Sequence, residues 1–291
     1  MKLPQVAAQL YTVRDHCQTV SDLAASLKKI RAIGYPAVQV SAIGPIPEDE
    51  LVKLLAGEGL VCCATHEPGE KILNDPPAVV ARLKKLGCRY TAYPYPANVN
   101  FDTLAGIHDL AGKLNAAGKV LNDAGLVLGY HNHSLEFRRV EGRLVLEEIY
   151  ARTDPRFVQG EIDTYWVQHG GGDPVDWCRR LKNRLPLIHL KDYVADAKSQ
   201  PTYCAVGAGN LNWPEIIRAA DAAGCQWYIV EQDTAHGDPF DELQRSFDYI
   251  AERLCSPSGT TVPVVAAWDG HAGRASHGAP GRGGDAAPTR G

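Results

Sequence analysis

No stretch of this 291-residue chain approaches the ~20 uninterrupted apolar residues that a membrane-spanning helix needs. The start, Met1 to Arg14, shows no basic segment followed by an apolar one, so no secretory leader is expected. Excess charge of either sign is missing as well: 30 Lys and Arg stand against 34 Asp and Glu, a formal net charge of -4. That balance gives no electrostatic drive towards phosphate backbones or anionic lipid, which speaks against nucleic acid or a membrane as partner. Also absent is the glycine fingerprint that usually follows the first strand of a doubly wound sheet; after Tyr11 the chain continues Thr12-Val13-Arg14-Asp15. From about Ser256 onward there is no Leu, Ile, Phe or Tyr. A stretch rich in Gly, Ala, Pro and Arg cannot bury enough apolar surface to offset its ordering entropy, which predicts a disordered tail over 256–291.

What remains is ordinary globular material, 45% hydrophobic and 22% charged. The eight cysteines are scattered, and the vicinal Cys62-Cys63 pair sits in a strand-like run, which points to buried thiols, a reducing compartment and a soluble cytoplasmic protein. Short runs rich in Val, Ile, Leu, Cys and Tyr alternate with longer segments of helical periodicity as far as about residue 255. The strand-like runs are Val6 to Tyr11, Ala37 to Val40, Leu60 to Thr65, Cys88 to Tyr93, Leu126 to His131, Phe157 to Asp163, Leu187 to Lys191 and Trp227 to Glu231. Helix signals fall between them. Ser21-Asp22 opens a run with Leu23, Leu27, Ile30 and Ile33, closed by Gly34; Pro47 precedes Glu48-Asp49-Glu50; Trp213-Pro214-Glu215 opens a run that closes at Gly224.

Eight strand-helix units in about 255 residues fit a single-domain α/β chain folded as a (β/α)8 TIM barrel over residues 1–255. In such a barrel the site lies at the C-terminal ends of the strands. Those ends are rich in imidazole and carboxylate: Tyr130-His131-Asn132-His133 with Glu136, then Glu161-Ile162-Asp163, then His189-Leu190-Lys191-Asp192, then Glu231-Gln232-Asp233. Two carboxylates plus imidazole suit one divalent metal ion, Mn2+, Co2+, Zn2+ or Mg2+, with positions left for substrate oxygens. Taken singly, Asp163 reads equally as a helix cap, His189 as a hydrogen-bonded core histidine and Glu231 as an arginine partner; four consecutive strands ending this way favour the metal.

Four phrases carry a family resemblance: Gln9-Leu10-Tyr11-Thr12-Val13-Arg14-Asp15, Tyr130-His131-Asn132-His133, Ile188-His189-Leu190-Lys191-Asp192 and Val206-Gly207-Ala208-Gly209. Over about Val6 to Leu254 the chain resembles the xylose isomerase-like TIM-barrel superfamily of sugar phosphate isomerases and epimerases, in its Tyr-His-Asn-His branch. The resemblance implies a barrel with one divalent metal and acid-base chemistry on a small-molecule sugar or cyclitol substrate. It places metal ligands on Asp163, His189 and Glu231. The family's first ligand, commonly a glutamate on the fifth strand, aligns with His131; either His131 replaces it or Glu136 reaches in. His131 is preferred as the ligand for its fixed place on the strand, and Glu136 is given a substrate or acid-base role. Trp166 stands where epimerases often carry a substrate-binding histidine, and Gln39 where many relatives have glutamate.

The chemistry this implies is proton transfer next to a carbonyl. A cation chelating the carbonyl oxygen and its neighbouring hydroxyl lowers the pKa of the α-proton and stabilises the enediolate. Reprotonation on the other face gives epimerisation, return at the neighbouring carbon isomerisation, and loss of a β-substituent dehydration. The expected catalytic residues are Glu231 and Glu136, with His131 a competing base; His133, Lys191, His66 and Trp166 are expected to bind substrate, and Tyr11 and Arg14 to line the mouth or to pack. Gly207-Ala208-Gly209 is read as a tight turn rather than a phosphate cradle. The expected function is a metal-dependent sugar or cyclitol isomerase or epimerase, with a dehydratase or lyase as the alternative. A DNA-repair endonuclease of the same superfamily is opposed by the acidic balance, and a non-catalytic sugar-binding barrel by the intact ligands.

Overall fold

Eight short runs of strand-forming residues meet edge to edge in the computed structural model, which describes residues 1–255. They are β1 (Val6–Gln9), β2 (Ala37–Val40), β3 (Val61–His66), β4 (Tyr90–Tyr93), β5 (Val127–His131), β6 (Val158–Asp163), β7 (Leu187–Leu190) and β8 (Trp227–Val230). Each pairs in parallel with its neighbours in sequence, and β1 pairs with β8 to close the barrel. The chain is thus a (β/α)8 TIM barrel, as its alternating pattern predicts. The expectation for residues 256–291 lies outside the described residues.

Helices cover the outer face, so strands β1, β2, β4 and β7 are buried along their whole length and read as mainly apolar runs with a single buried Gln, Thr or His in each. The helix Val20–Ile33 turns Leu23, Leu27 and Ile30 inward. Its first turn is capped by Thr19, whose hydroxyl accepts from the Asp22 N–H at 3.2 Å, just upstream of the expected Ser21. It ends at Gly34, where φ is +125° and an added Cβ would lie 2.6 Å from the Phe247 ring, so glycine is required twice over. Helices Glu48–Gly57 and Trp213–Ala223 follow the remaining start signals.

Side-chain alternation divides the barrel interior into a floor and a roof. Ala7, Ala37, Leu187 and Ile229 form part of an apolar cluster in the interior. Two residues further along the same strands come Gln9, Gln39, His189 and Glu231, all buried. The period of two therefore carries each of these strands from an apolar layer into a polar one at its C-terminal end.

Two local features depart from the expected outline or refine it. β1 ends at Gln9 instead of Tyr11, because the chain coils into 3-10 turns over Leu10–His16 and the Gln9 side chain accepts from the Tyr11 N–H at 3.3 Å. In the Gly207-Ala208-Gly209 turn, the Gly207 and Gly209 N–H groups do cradle an anion, but it is the chain's own Asp192, at 2.8 and 3.1 Å. All eight cysteines are free thiols. Among the described residues no helix is long and apolar enough to cross a membrane.

Candidate metal centre

Four strand ends deliver the polar groups to one place. His131 ends β5, Asp163 ends β6, His189 lies on β7, and Glu231 follows β8, its N–H still paired with Leu190 O at 3.2 Å. Asp163 and His189 are register partners, as are His189 and Ile229, so the inward faces of β6, β7 and β8 stand side by side. His131, Asp163, His189 and Glu231 offer ligand atoms that all lie within 4.8 Å of one another.

Asp163 serves two ends with its two oxygens. Oδ1 accepts from the Trp166 N–H at 2.9 Å and caps the helix Thr164–His169, while Oδ2 is buried with no hydrogen-bond partner. Helix capping and ligation are thus compatible rather than competing. Burial pushes the Asp163 carboxyl up to about 7, the Lys191 charge offsetting part of this and Glu231 adding to it.

His189 is fully buried and bonded at both ring nitrogens: Nδ1 to Glu231 Oε2 at 2.8 Å and Nε2 to Gln39 Oε1 at 2.7 Å. Burial opposes its charge, but the nearby Glu161 and Glu231 carboxylates outweigh burial and raise its pKa well above the ordinary value. Burial likewise works against the Glu231 carboxylate, yet Lys191 and His189 hold it well below the usual range. The Lys191 ammonium is 1% exposed and lies 3.2 Å from Glu231 Oε2, 3.4 Å from Asp163 Oδ2 and 2.5 Å from Asp233 Oδ1. It is a charge partner built into the centre, not a surface lysine.

A cavity of about 600 Å³ opens over these groups, and His66, His131, His133, Lys191, Glu231 and Asp233 line it together with Tyr11 and Tyr95. His131 and His133 stay neutral near pH 7: burial lowers them to about 4 and about 2. The His133 Nδ1 is buried and unpartnered. Trp166 stands behind His133 with ring centroids 5.4 Å apart, and Lys191 Nζ lies 5.2 Å over the Trp166 ring. The structure does not bring Glu136 into this group. Glu136 is wholly buried away from the cavity lining, with Oε1 accepting from Tyr130 OH and Oε2 from the His133 N–H, each at 2.8 Å. Arg14 stacks on Tyr11 at 4.2 Å and donates to Asp233 O at 3.0 Å, tying the β1 and β8 loops together.

Two participants carried no role in the sequence. Asp233 pairs with Lys191, and Glu161 lies within 3.4 Å of three imidazoles. Glu161 had a signal: it precedes Asp163 by two on one strand and so shares its inward face.

The chain is 29% identical over 177 residues to an inosose dehydratase of Mesomycoplasma hyopneumoniae, a match over 54% of this chain and 56% of that one. The chain thus spans about half the length of the curated relatives it matches. Among solved structures, a sugar phosphate isomerase/epimerase from Parabacteroides distasonis superposes with a TM-score of 0.75 at 23% identity, over 86% of this chain and 94% of the other. A xylose isomerase-like TIM barrel protein from Mycobacterium smegmatis, in complex with magnesium, superposes with a TM-score of 0.66 at 14% identity, over 84% and 95%. Residues 27–253 match the family model of the xylose isomerase-like TIM barrel, and with the closed eight-stranded barrel already described, the chain belongs to that family.

Proposed function

We propose that this protein is a divalent-metal-dependent isomerase or epimerase of a keto-sugar or cyclitol, in which Glu231 exchanges the proton next to the substrate carbonyl. The observation that carries this reading is a buried Asp163 Oδ2 that accepts no hydrogen bond, 3.4 Å from the Lys191 ammonium, beside a His189–Glu231 contact of 2.8 Å at the base of an open cavity. Two carboxylates and one imidazole are a fitting donor set for Mn2+, Co2+, Zn2+ or Mg2+, and Asp163, His189 and Glu231 would hold the ion with His131 beside them. Bound there, the cation supplies Lewis-acid polarisation of a carbonyl oxygen.

The chain's own groups then divide the remaining work. Glu231 is ionised near neutral pH, and its Oε2 is engaged by His189 and Lys191, whereas Oε1 accepts no hydrogen bond among the described residues. Oε1 is therefore the atom assigned to take the proton. Lys191 stays protonated, orients the Glu231 carboxylate and presents a positive edge to a substrate oxygen. His66 and His133, on the cavity wall, are assigned to substrate hydroxyls, and Trp166 braces His133 from behind. His131, neutral on the cavity wall, is assigned to a substrate oxygen. In isomerisation Glu231 delivers the abstracted proton to the neighbouring carbon, while epimerisation draws its opposite-face proton from water in the open cavity.

Dehydration is the second reading, favoured by the similarity to inosose dehydratases. It needs a group that stabilises the departing hydroxyl, and the Lys191 ammonium on the cavity wall can donate a hydrogen bond to it. Both reactions begin with the same proton. Incubation of the metal-loaded protein with keto-hexoses and inososes in D2O, followed by NMR, tests the shared step and separates the outcomes. Deuterium in a recovered isomer or epimer supports the first reading, and an unsaturated or deoxygenated product the second. Absence of both exchange and turnover across these substrates overturns the proposal.

A further inference from the structure

Glu231 and Lys191 stand on one side of the cavity, and the side across from them carries charges that the reaction does not use. In the closed barrel β3 is four strands from β7 in either direction, so the two lie opposite each other. Lys191 and Glu231 directly follow β7 and β8, whereas Glu67 directly follows β3 and Lys71 lies on the next helix, Gly69–Asn74. Both pairs line the same cavity of about 600 Å³, together with Arg82 from the helix Pro76–Lys85. A small molecule that fills the cavity therefore meets the proposed base at one end and the wall beyond β3 at the other.

The lysines, arginines and carboxylates of the cavity wall pair off with a single exception. Lys191 is held by Glu231 and Asp233. On the far wall Arg82 donates through Nε to Glu67 Oε1 at 2.9 Å and through Nη1 to Glu48 Oε1 at 2.8 Å, which neutralises the buried Glu67 and fixes the guanidinium. Lys71, half-buried beside them, has no carboxylate partner among the described residues. Such an ammonium is stable while water fills the cavity. A substrate that displaces this water strips its hydration, and a charge left unpaired in a dry site costs free energy. Neutral hydroxyls offset that cost in part; an anion offsets it and adds a charge-assisted hydrogen bond. One spare positive charge matches one negative charge. A phosphate ester, at about -1.5 to -2 near pH 7, would stand on the wall of the Glu67 carboxylate with a single free ammonium to balance it, whereas a carboxylate is balanced in full.

We propose that Lys71 binds a carboxylate at the end of the substrate remote from the reacting carbonyl, so that the protein takes keto-sugar acids. This narrows the substrate class of the reaction proposed above and rests on that reading, but binding at Lys71 is measurable without turnover. Arg82, already spread over Glu67 and Glu48, has the supporting part: it keeps Glu67 from pairing with Lys71 and so leaves the ammonium to the ligand.

D-Gluconate, D-glucitol and D-glucitol 6-phosphate share one carbon chain and differ in a terminal group that is a carboxylate, neutral or a phosphate; none carries a keto group. Calorimetric titration of the full-length wild type should find gluconate bound at least about 10-fold more tightly than glucitol, the worth of one charge-assisted hydrogen bond, and more tightly than the phosphate. Lys71→Met should erase the preference and Lys71→Arg should keep it, with circular dichroism unchanged in both. Equal affinity for gluconate and glucitol, a preference that survives Lys71→Met, or no binding of gluconate overturns the assignment of Lys71. Tighter binding of the phosphate, lost in Lys71→Met, overturns the carboxylate in favour of a phosphate. In D2O the metal-loaded wild type should exchange deuterium into 5-keto-D-gluconate faster than into D-fructose. Exchange into neither, while gluconate still depends on Lys71, overturns the reaction and leaves the carboxylate site standing.

Discussion

The Glu231 carboxylate and the His189 ring meet at 2.8 Å across β7 and β8, and the parallel register is what brings them together. His189 is the partner of Ile229, and Glu231 lies two residues further on, so both side chains enter the barrel from adjacent strands on the same face. Gln39 fixes the far side of the ring: its own Nε2 donates to Glu161, which leaves its Oε1 to face His189 Nε2. His189 thus has acceptors on both sides, in keeping with its raised pKa.

Removal of one carboxylate should show what this pair serves. Asp163→Asn keeps the oxygen that caps the helix at Trp166 and replaces the unpartnered one by an amide donor. Equilibrium dialysis should find metal affinity reduced by at least about 10-fold, with circular dichroism unchanged. In the wild type, affinity should weaken as the pH falls, because the ligands must lose protons to bind. Equal affinity in variant and wild type would remove Asp163 from the centre.

Glu231→Gln keeps a neutral oxygen for the cation and cannot accept a proton near neutral pH. Turnover should fall about 10²- to 10⁴-fold, by much more than substrate binding weakens. Solvent deuterium exchange into bound substrate should fall in parallel; exchange at the wild-type rate would mean that another group is the base.

Glu136 gives a pH dependence with a defined sign. Burial pushes its carboxyl from the ordinary 4.5 up to about 8, against hydrogen bonds from Tyr130 OH and the His133 N–H. The folded chain therefore holds this proton more tightly than the unfolded chain. The resulting stability is fully present below about pH 4.5 and is lost as the pH rises through about 8. Glu136→Gln abolishes the effect, so from about pH 5 to about pH 9 the variant should gain on the wild type by a few kcal/mol, measured by urea unfolding. A difference that stays flat across this range would show that Glu136 is ionised throughout.

Asp192 is the anchor of the loop before the last barrel helix pair. Its carboxylate accepts from Gly207, Gly209 and Tyr193 N–H groups and from Trp213 Nε1 at 2.7 Å. Asp192→Ala strands several donors in a buried site and should cost about 3 kcal/mol or more in unfolding free energy. A loss under about 1 kcal/mol would show that the loop finds other partners.

The composition of 256–291 predicts that this segment is dispensable. A chain ending at Cys255 should melt within about a degree of the full-length protein and bind metal equally; a drop of several degrees would show that the segment packs on the barrel.

The strand-helix alternation was legible in the primary structure because it is a local property. Runs such as Leu187 to Leu190 are apolar apart from the inward-facing His189 since both faces of a barrel strand are covered, and Gly34 and Gly224 stop helices through their own backbone freedom. Closure could be inferred from eight such units without a single long-range distance. The strand-end residues Asp163, His189 and Glu231 were legible for the same reason, since they lie where each run gives way to polar residues. Which atom meets which was not. His131 and Glu136 are five residues apart, yet His131 faces the cavity while Glu136 folds back under its own turn onto Tyr130 and His133. Lys191 gave no sign in sequence of being buried against three carboxylates, nor Glu161 of gathering imidazoles from β3, β5 and β7. Those contacts join residues far apart in the chain, and their distances depend on barrel register and on the bulge between Val38 and Gln39. Local periodicity specifies the strand and the face; the angle at which a side chain enters the mouth is set only once eight strands have closed on one another.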